Sequence, residues 1–262
     1  MRKDHREIQE LYQQEKVARL YEQTRFRSFI GKLGHELEIT AINKALEAKK
    51  PSRLLEVATG TGRITRELKG FKSAIGIDSS PAMLTELKKK LNDRRWRFEQ
   101  GDALKLRFAT SSFDAVVTFR LLRHFIKNYR SQAYAEIRRV LKPGGILIFD
   151  ACNQRRGFAG WLADAASSAM ARIRGFRNAV HDVYYTKTKL IDELRHEGFE
   201  IIYITPILCR YPRWSLMTFM EKFPHIGPKI TKKYPLALAL ERTLMNTKAK
   251  HPQTWVIAVR KP

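Results

Sequence analysis

The stretch Leu54-Leu55-Glu56-Val57-Ala58-Thr59-Gly60-Thr61-Gly62-Arg63-Ile64-Thr65 reads as a short apolar strand carrying one acid, then a glycine-rich turn that opens toward a helix. Glycine removes the Cβ that would hold a ligand away from the backbone, so such a turn lets main-chain N–H groups approach a bound molecule closely. The run lacks the Gly-x-x-x-x-Gly-Lys-Ser/Thr spacing of a phosphate-binding loop, which disfavours nucleoside triphosphate hydrolysis. Alone it still allows a dinucleotide-binding fold or an ordinary strand-to-helix connection.

Working outward from it, short apolar runs alternate with charged stretches of helical composition. Strands are expected at 53–58, 73–77, 97–99, 115–119 and 145–150, with helices running to Lys69, over 81–91 and near 131–140. That alternation means βαβ units and a parallel sheet. After Asp150 it pauses, resumes with a helix over 186–197 and a strand over 200–206, pauses again over 210–250, and ends in a strand over 254–259. The two pauses read as insertions at about 153–185 and 210–250. The first is a helical candidate through Leu162, Ala165, Ala166, Ala169, Ile173 and Phe176. Residues 1–50 contain no proline and read as a cover of two or three helices in front of a domain over 51–262.

The next strand ends narrow the ligand. The second strand closes on Ile75-Gly76-Ile77-Asp78, where a carboxylate can accept from ribose hydroxyls. The third is followed by Gly101-Asp102-Ala103, where a carboxylate can accept from an exocyclic amino group such as that of adenine. Later units read Phe113-Asp114-Ala115-Val116-Val117-Thr118-Phe119 and Val140-Leu141-Lys142-Pro143-Gly144-Gly145-Ile146-Leu147-Ile148-Phe149-Asp150.

This ordered set resembles the class I S-adenosylmethionine-dependent methyltransferases, over roughly residues 50–205 and the last strand. The Val57 to Gly62 turn and Arg139 to Gly145 are most similar to the quinone C-methyltransferase branch. The resemblance implies an α/β, Rossmann-like fold: a seven-stranded, mostly parallel sheet with its last strand antiparallel, N-terminal helices and helical lid insertions. It implies S-adenosyl-L-methionine as cofactor. Glu56 and the turn of Ala58, Thr59, Gly60 and Gly62 would face its methionine portion, Asp78 its ribose and Met83 its adenine ring. Asp102 and Ala103 would meet the adenine edge, and Phe119 would lie beside the sulfonium. Ala58 stands where many members carry the first glycine. His124, just after the fourth strand, is the candidate general base, with Tyr21 and Arg25 as secondary candidates.

Composition bounds the rest. The chain has 262 residues, 44% of them hydrophobic, so it can fill a core and is no disordered basic tail. Cys152 and Cys209 form no Cys-x-x-Cys or other zinc-ligand spacing, so no metal is expected and both read as small apolar groups. No signal peptide or membrane-spanning run is legible, and a cytoplasmic protein is expected, with peripheral membrane attachment allowed. The net charge of +24 divides as +3, +10 and +11 over residues 1–50, 51–150 and 151–262. Such a surface suits an anionic membrane beside a small or lipidic acceptor, or nucleic acid as in an RNA-directed methyltransferase. The lipidic reading is preferred, because the insertions mix basic residues with apolar and aromatic ones: Phe158, Trp161, Arg172 and Arg174, then Tyr211, Trp214, Met217, Phe219, Met220 and Phe223. A cofactor-binding protein without transferase activity is the third alternative.

Overall fold

Arg53–Val57 (β1) and Phe113–Thr118 (β4) are buried along almost their whole length. Leu54, Ala115 and Val117 belong to one apolar cluster, whereas Leu55, Val57, Phe113 and Val116 belong to another. Successive strand residues point to opposite faces, so strands apolar at nearly every position need a packed layer on each side. The computed structural model, which describes residues 10, 12–154, 183–247 and 252–262, meets that need with one sheet between two helical layers.

Ser73–Asp78 (β2), Trp96–Gln100 (β3), Leu141–Asn153 (β5), Tyr184–Tyr185 (β6), Glu200–Ile207 (β7) and Thr254–Arg260 (β8) complete the sheet. The strand order is β3-β2-β1-β4-β5-β8-β7, with the two-residue β6 beside β5. β1 pairs in parallel with β2 and β4, and β8 runs antiparallel to both β5 and β7. The expected seven strands and antiparallel last strand are found. β6 is an eighth.

The helices are Glu15–Arg25 (α1), Phe29–Lys49 (α2), Pro81–Lys90 (α3), Lys127–Val140 (α4), Lys187–His196 (α5), Tyr211–Met220 (α6), Gly227–Thr231 (α7) and Tyr234–Met245 (α8). One layer joins Leu33, Leu37, Ile42 and Leu46 of α2 to Trp214, Ile230 and Ala237 of α6, α7 and α8. The other is built on Tyr134 and Ile137 of α4 and Leu190 and Leu194 of α5. The described part of 210–250 is thus three helices joined by turns, and it packs on α2. Of the first insertion, residues 155–182, including the Leu162 to Phe176 helix, lie outside the described residues.

One element differs. In place of the helix expected to reach Lys69, the chain makes one α-type turn, Arg66 N–H to Gly62 O at 3.2 Å, and a 3-10 turn at Thr65–Glu67. The cause is tertiary. Asn43 of α2 donates to Glu67 O at 2.9 Å and accepts from Lys69 N–H at 3.0 Å, taking two groups a longer helix would use itself. Arg63 is drawn to Glu38 at 2.8 Å and to His35 Nδ1 at 2.7 Å. Because arginine only donates, His35 Nδ1 is the acceptor, so its Nε2–H donates to Glu67 at 2.7 Å.

Candidate cofactor and acceptor site

Strand register places the site. Val57 pairs with Ile77 and Thr118, and Asp78 pairs with Gln100, so β1, β2, β3 and β4 finish at one edge of the sheet. The chain leaves β1 toward β2 on one side and has β4 on the other. Where crossovers diverge in this way, a crevice opens beyond the carboxyl ends of the strands. A cavity lies there, at the place where such sheets bind small molecules. It brings together Ala58, Gly60, Asp78, Met83, Asp102, Ala103, Phe119 and His124.

Glu56, Thr59 and Gly62 do not line it. Gly62, at φ +81°, turns toward α3, and a Cβ there would come within 2.9 Å of Leu87 Cγ. Its role is close packing. Gly60, at φ +56°, faces open space, and its N–H donates to Asp78 Oδ2 at 2.8 Å. Ala58 holds φ +62°, a conformation that costs an L-residue about 1–2 kcal/mol.

Asp78 binds the turn to α3, since its Oδ1 accepts from Ser80 N–H at 2.9 Å. Burial is the largest influence on its carboxyl and raises its pKa, against the pull of the Ser80, Gly60 and Ser79 N–H groups. Ser80 is the N-cap of α3 and accepts from Met83 N–H at 3.2 Å. Asp102 is exposed and uses Oδ1 to accept from Leu104 N–H at 2.9 Å. Glu56 is 3% exposed, and its Oε2 has no hydrogen-bond partner among the described residues. Burial pushes its carboxyl up to about 8, opposed by Thr65 and Arg63 and reinforced by Asp78. Two acids gathered behind one turn, one of which can ionise when a cation arrives, suit a ligand with a cationic amino-acid end. The open space at Gly60 allows it to approach, and Asp78 keeps lone pairs for a diol. These residues fit S-adenosylmethionine.

The loop after β4 forms another part of the wall. Buried Asp150 on β5 accepts from Arg120 N–H at 2.5 Å and from the Arg123 guanidinium at 3.0 Å. It thereby holds Arg120 at φ +61° and fixes the short turn Leu122–His124. Arg120 lines the cavity, its Nε is buried without a partner among the described residues, and its guanidinium lies 5.3 Å from the Phe26 ring centre. From α1, Glu22 accepts from Thr61 Oγ1 at 2.7 Å, from Arg66 at 2.9 Å and from Lys90 at 3.0 Å. Burial opposes its ionisation, but those three donors outweigh burial and hold the carboxyl below its ordinary value.

Several cavity residues were not legible in advance: Tyr12, Ser79, Arg120, Leu121 and Phe125. Only the position after β4 could have signalled Arg120. Tyr21 does line the cavity, whereas the Arg25 side chain lies outside the described residues. Cys152 is buried outside the cavity, and Cys209 is half-buried with its thiol pushed up to about 12 by burial and by Glu241. The Cys209 thiol is thus held protonated at neutral pH and is no nucleophile.

The methyltransferase domain profile matches residues 55–149. A demethylmenaquinone methyltransferase of Thermotoga maritima is 31% identical over 168 residues, which cover 58% of this chain and 71% of the relative. The chain belongs to the class I S-adenosylmethionine-dependent methyltransferases. Within them it falls in the quinone C-methyltransferase branch: a demethylmenaquinone methyltransferase of Deinococcus radiodurans is 42% identical over 106 residues, 38% of this chain and 43% of that protein. This chain spans about half the length of the curated relatives that it matches at 39–42% identity. Magnesium protoporphyrin IX methyltransferase of Synechocystis, solved with bound SAH, superposes with a TM-score of 0.62 at 12% identity, covering 99% of this chain and 100% of the other. That likeness carries the fold.

Proposed function

We propose that this methyltransferase-family chain transfers a methyl group from S-adenosylmethionine to a small lipophilic acceptor, a hydroxylated aromatic ring of the quinol class. The observation that carries the reading is one cavity walled both by Asp78 and Asp102 and by Phe119, Arg120, Leu121, His124 and Phe125. The cofactor, when bound, supplies an electrophilic methyl group. Asp78 accepts from its ribose hydroxyls, Asp102 Oδ2 from its adenine amino group, and Glu56 pairs with its ammonium through the Ala58 to Gly62 turn. Met83 and Ala103 give the adenine ring an apolar seat.

The chain's own contribution to the chemistry is alignment, exclusion of water and custody of one proton. A ring carbon beside a hydroxyl becomes nucleophilic when that hydroxyl gives its proton to His124; once the carbon carries the methyl group, its own hydrogen leaves as the one proton released overall and His124 returns its proton to the oxygen, restoring the aromatic ring. The Arg120 guanidinium, unpartnered at Nε among the described residues, holds the resulting oxyanion beside the apolar wall. Relatives named for demethylmenaquinone support an acceptor of this class. A membrane is where such an acceptor resides, which accords with peripheral attachment.

The test supplies the full chain with methyl-labelled cofactor and a reduced demethylated naphthoquinol, beside total lipid and total RNA of a host extract. Label entering the quinol ring is expected. His124→Gln should lower turnover about 100-fold with cofactor affinity unchanged. Label entering RNA, or none transferred to any fraction, overturns the reading.

A further inference from the structure

Residues 210–250 contain nine Lys and Arg but two acids, Glu221 and Glu241. Both acids are turned inward. Glu241 is fully buried and accepts from Cys209 N–H at 2.8 Å, Arg210 N–H at 2.9 Å and Trp214 Nε1–H at 2.7 Å. Glu221 accepts from Phe29 N–H at 2.7 Å, and Thr218 Oγ1 from Ile30 N–H at 3.0 Å, so the two satisfy the first donors of α2. The fold therefore consumes the local negative charge and leaves Lys222, Lys229, Lys232 and Lys233 exposed.

The same stretch exposes apolar bulk. Leu216, Phe219, Phe223 and Ile226, at spacings of three and four, are 59%, 50%, 45% and 37% exposed, and the two phenylalanine rings meet edge-on at 5.4 Å. Charged partners of the wrong sign would repel the lysines, while water pays for the exposed stripe. The pattern of apolar side chains flanked by lysines suits the boundary between headgroups and acyl chains, where both are satisfied together. RNA would use the lysines and the rings but leave Leu216 and Ile226 wet. The surface also connects to the cavity. Phe29, against Trp214 and Tyr234, opens α2 three residues after Phe26, the ring beneath Arg120.

We propose that α6, α7 and the segment between them form a docking surface for an anionic lipid bilayer, setting the cavity beside a pool of membrane-dissolved acceptor. The docking itself goes beyond the catalytic reading and does not depend on it. The test is flotation of the full chain with vesicles of phosphatidylcholine, alone or mixed with phosphatidylglycerol. Binding is expected to the mixed vesicles and to weaken with salt. Replacing Lys229, Lys232 and Lys233 by Gln should weaken it about 100-fold, each lysine counting for about fivefold. Phe219→Ser with Phe223→Ser should weaken it about tenfold or more. Both variants should keep wild-type affinity for S-adenosylhomocysteine, which reports that they are folded.

Wild-type chain that stays with neither vesicle, or variants that float as the wild type does, overturn the proposal. So does a wild-type dimer that Phe219→Ser with Phe223→Ser converts to a monomer, or tighter binding to RNA that is indifferent to those two substitutions. Flotation intact with no S-adenosylhomocysteine binding would instead sink the catalytic reading alone.

Discussion

Asp78→Asn separates a cofactor ligand from a mere turn-former. The carboxylate spends one oxygen on Gly60 N–H at 2.8 Å and the other on Ser80 N–H at 2.9 Å. Asparagine has one oxygen, so either orientation turns its NH₂ toward one of those N–H groups, and a donor then faces a donor. Hydrogen bonds to a charged group are worth about 1.5–3 kcal/mol, and a ribose hydroxyl donating to Asp78 would lose that assistance. Loss of one such bond to the ligand, with the turn loosened behind it, predicts a dissociation constant about 100-fold higher, close to 2.7 kcal/mol. Calorimetry with S-adenosylhomocysteine measures it, and thermal unfolding monitors the fold in parallel. Because the carboxyl is raised by burial, wild-type affinity should also fall on acidification as the group takes up its proton, and the variant should keep only the part of that fall that Glu56 causes. Binding by Asp78→Asn within about threefold of the wild type would refute the reasoning and reduce Asp78 to a link between the turn and α3.

Three further outcomes are expected. With Glu56 near 8 before the ligand binds and ionised when paired with an ammonium, binding releases a proton at pH 7. Affinity should then rise about tenfold from pH 6 to pH 7, and Glu56→Gln should abolish that slope; calorimetry in buffers of different ionisation heat counts the proton. Ala58→Gly relieves a left-handed alanine and should stabilise the fold by about 0.5–1 kcal/mol, raising the melting temperature by about 1–4 °C. Glu241→Ala strands one buried donor and two half-buried ones and should cost about 3 kcal/mol, a fall of about 6 °C or more in calorimetric melting.

Much of the fold was legible because it is written locally. Leu54 to Val57, most of Ala74 to Ile77 and Ala115 to Thr118 are buried within their own few residues' pattern, and each strand appears where that pattern predicts. The acid ending β2 and the acid after β3 were legible too, since a strand end sets their position and register brings strand ends together. The loop after β4 was legible only at Phe119 and His124. Arg120 owes its place to Asp150, thirty residues onward, and no local spacing encodes that bond.

The sequence by itself determined the sheet, the glycine turn and the acids at the strand ends, because periodicity and backbone sterics act over a few residues. Tertiary structure decided the rest. Asn43, His35 and Glu38 reach from α2 to shorten the helix after the turn, and Glu22 ties α1 to that turn. Glu221 and Glu241 turn inward and leave a basic, apolar surface outside. In each case the partners lie far apart along the chain and meet only when the core closes, and burial then makes an unpaired polar group costly enough to dictate the geometry.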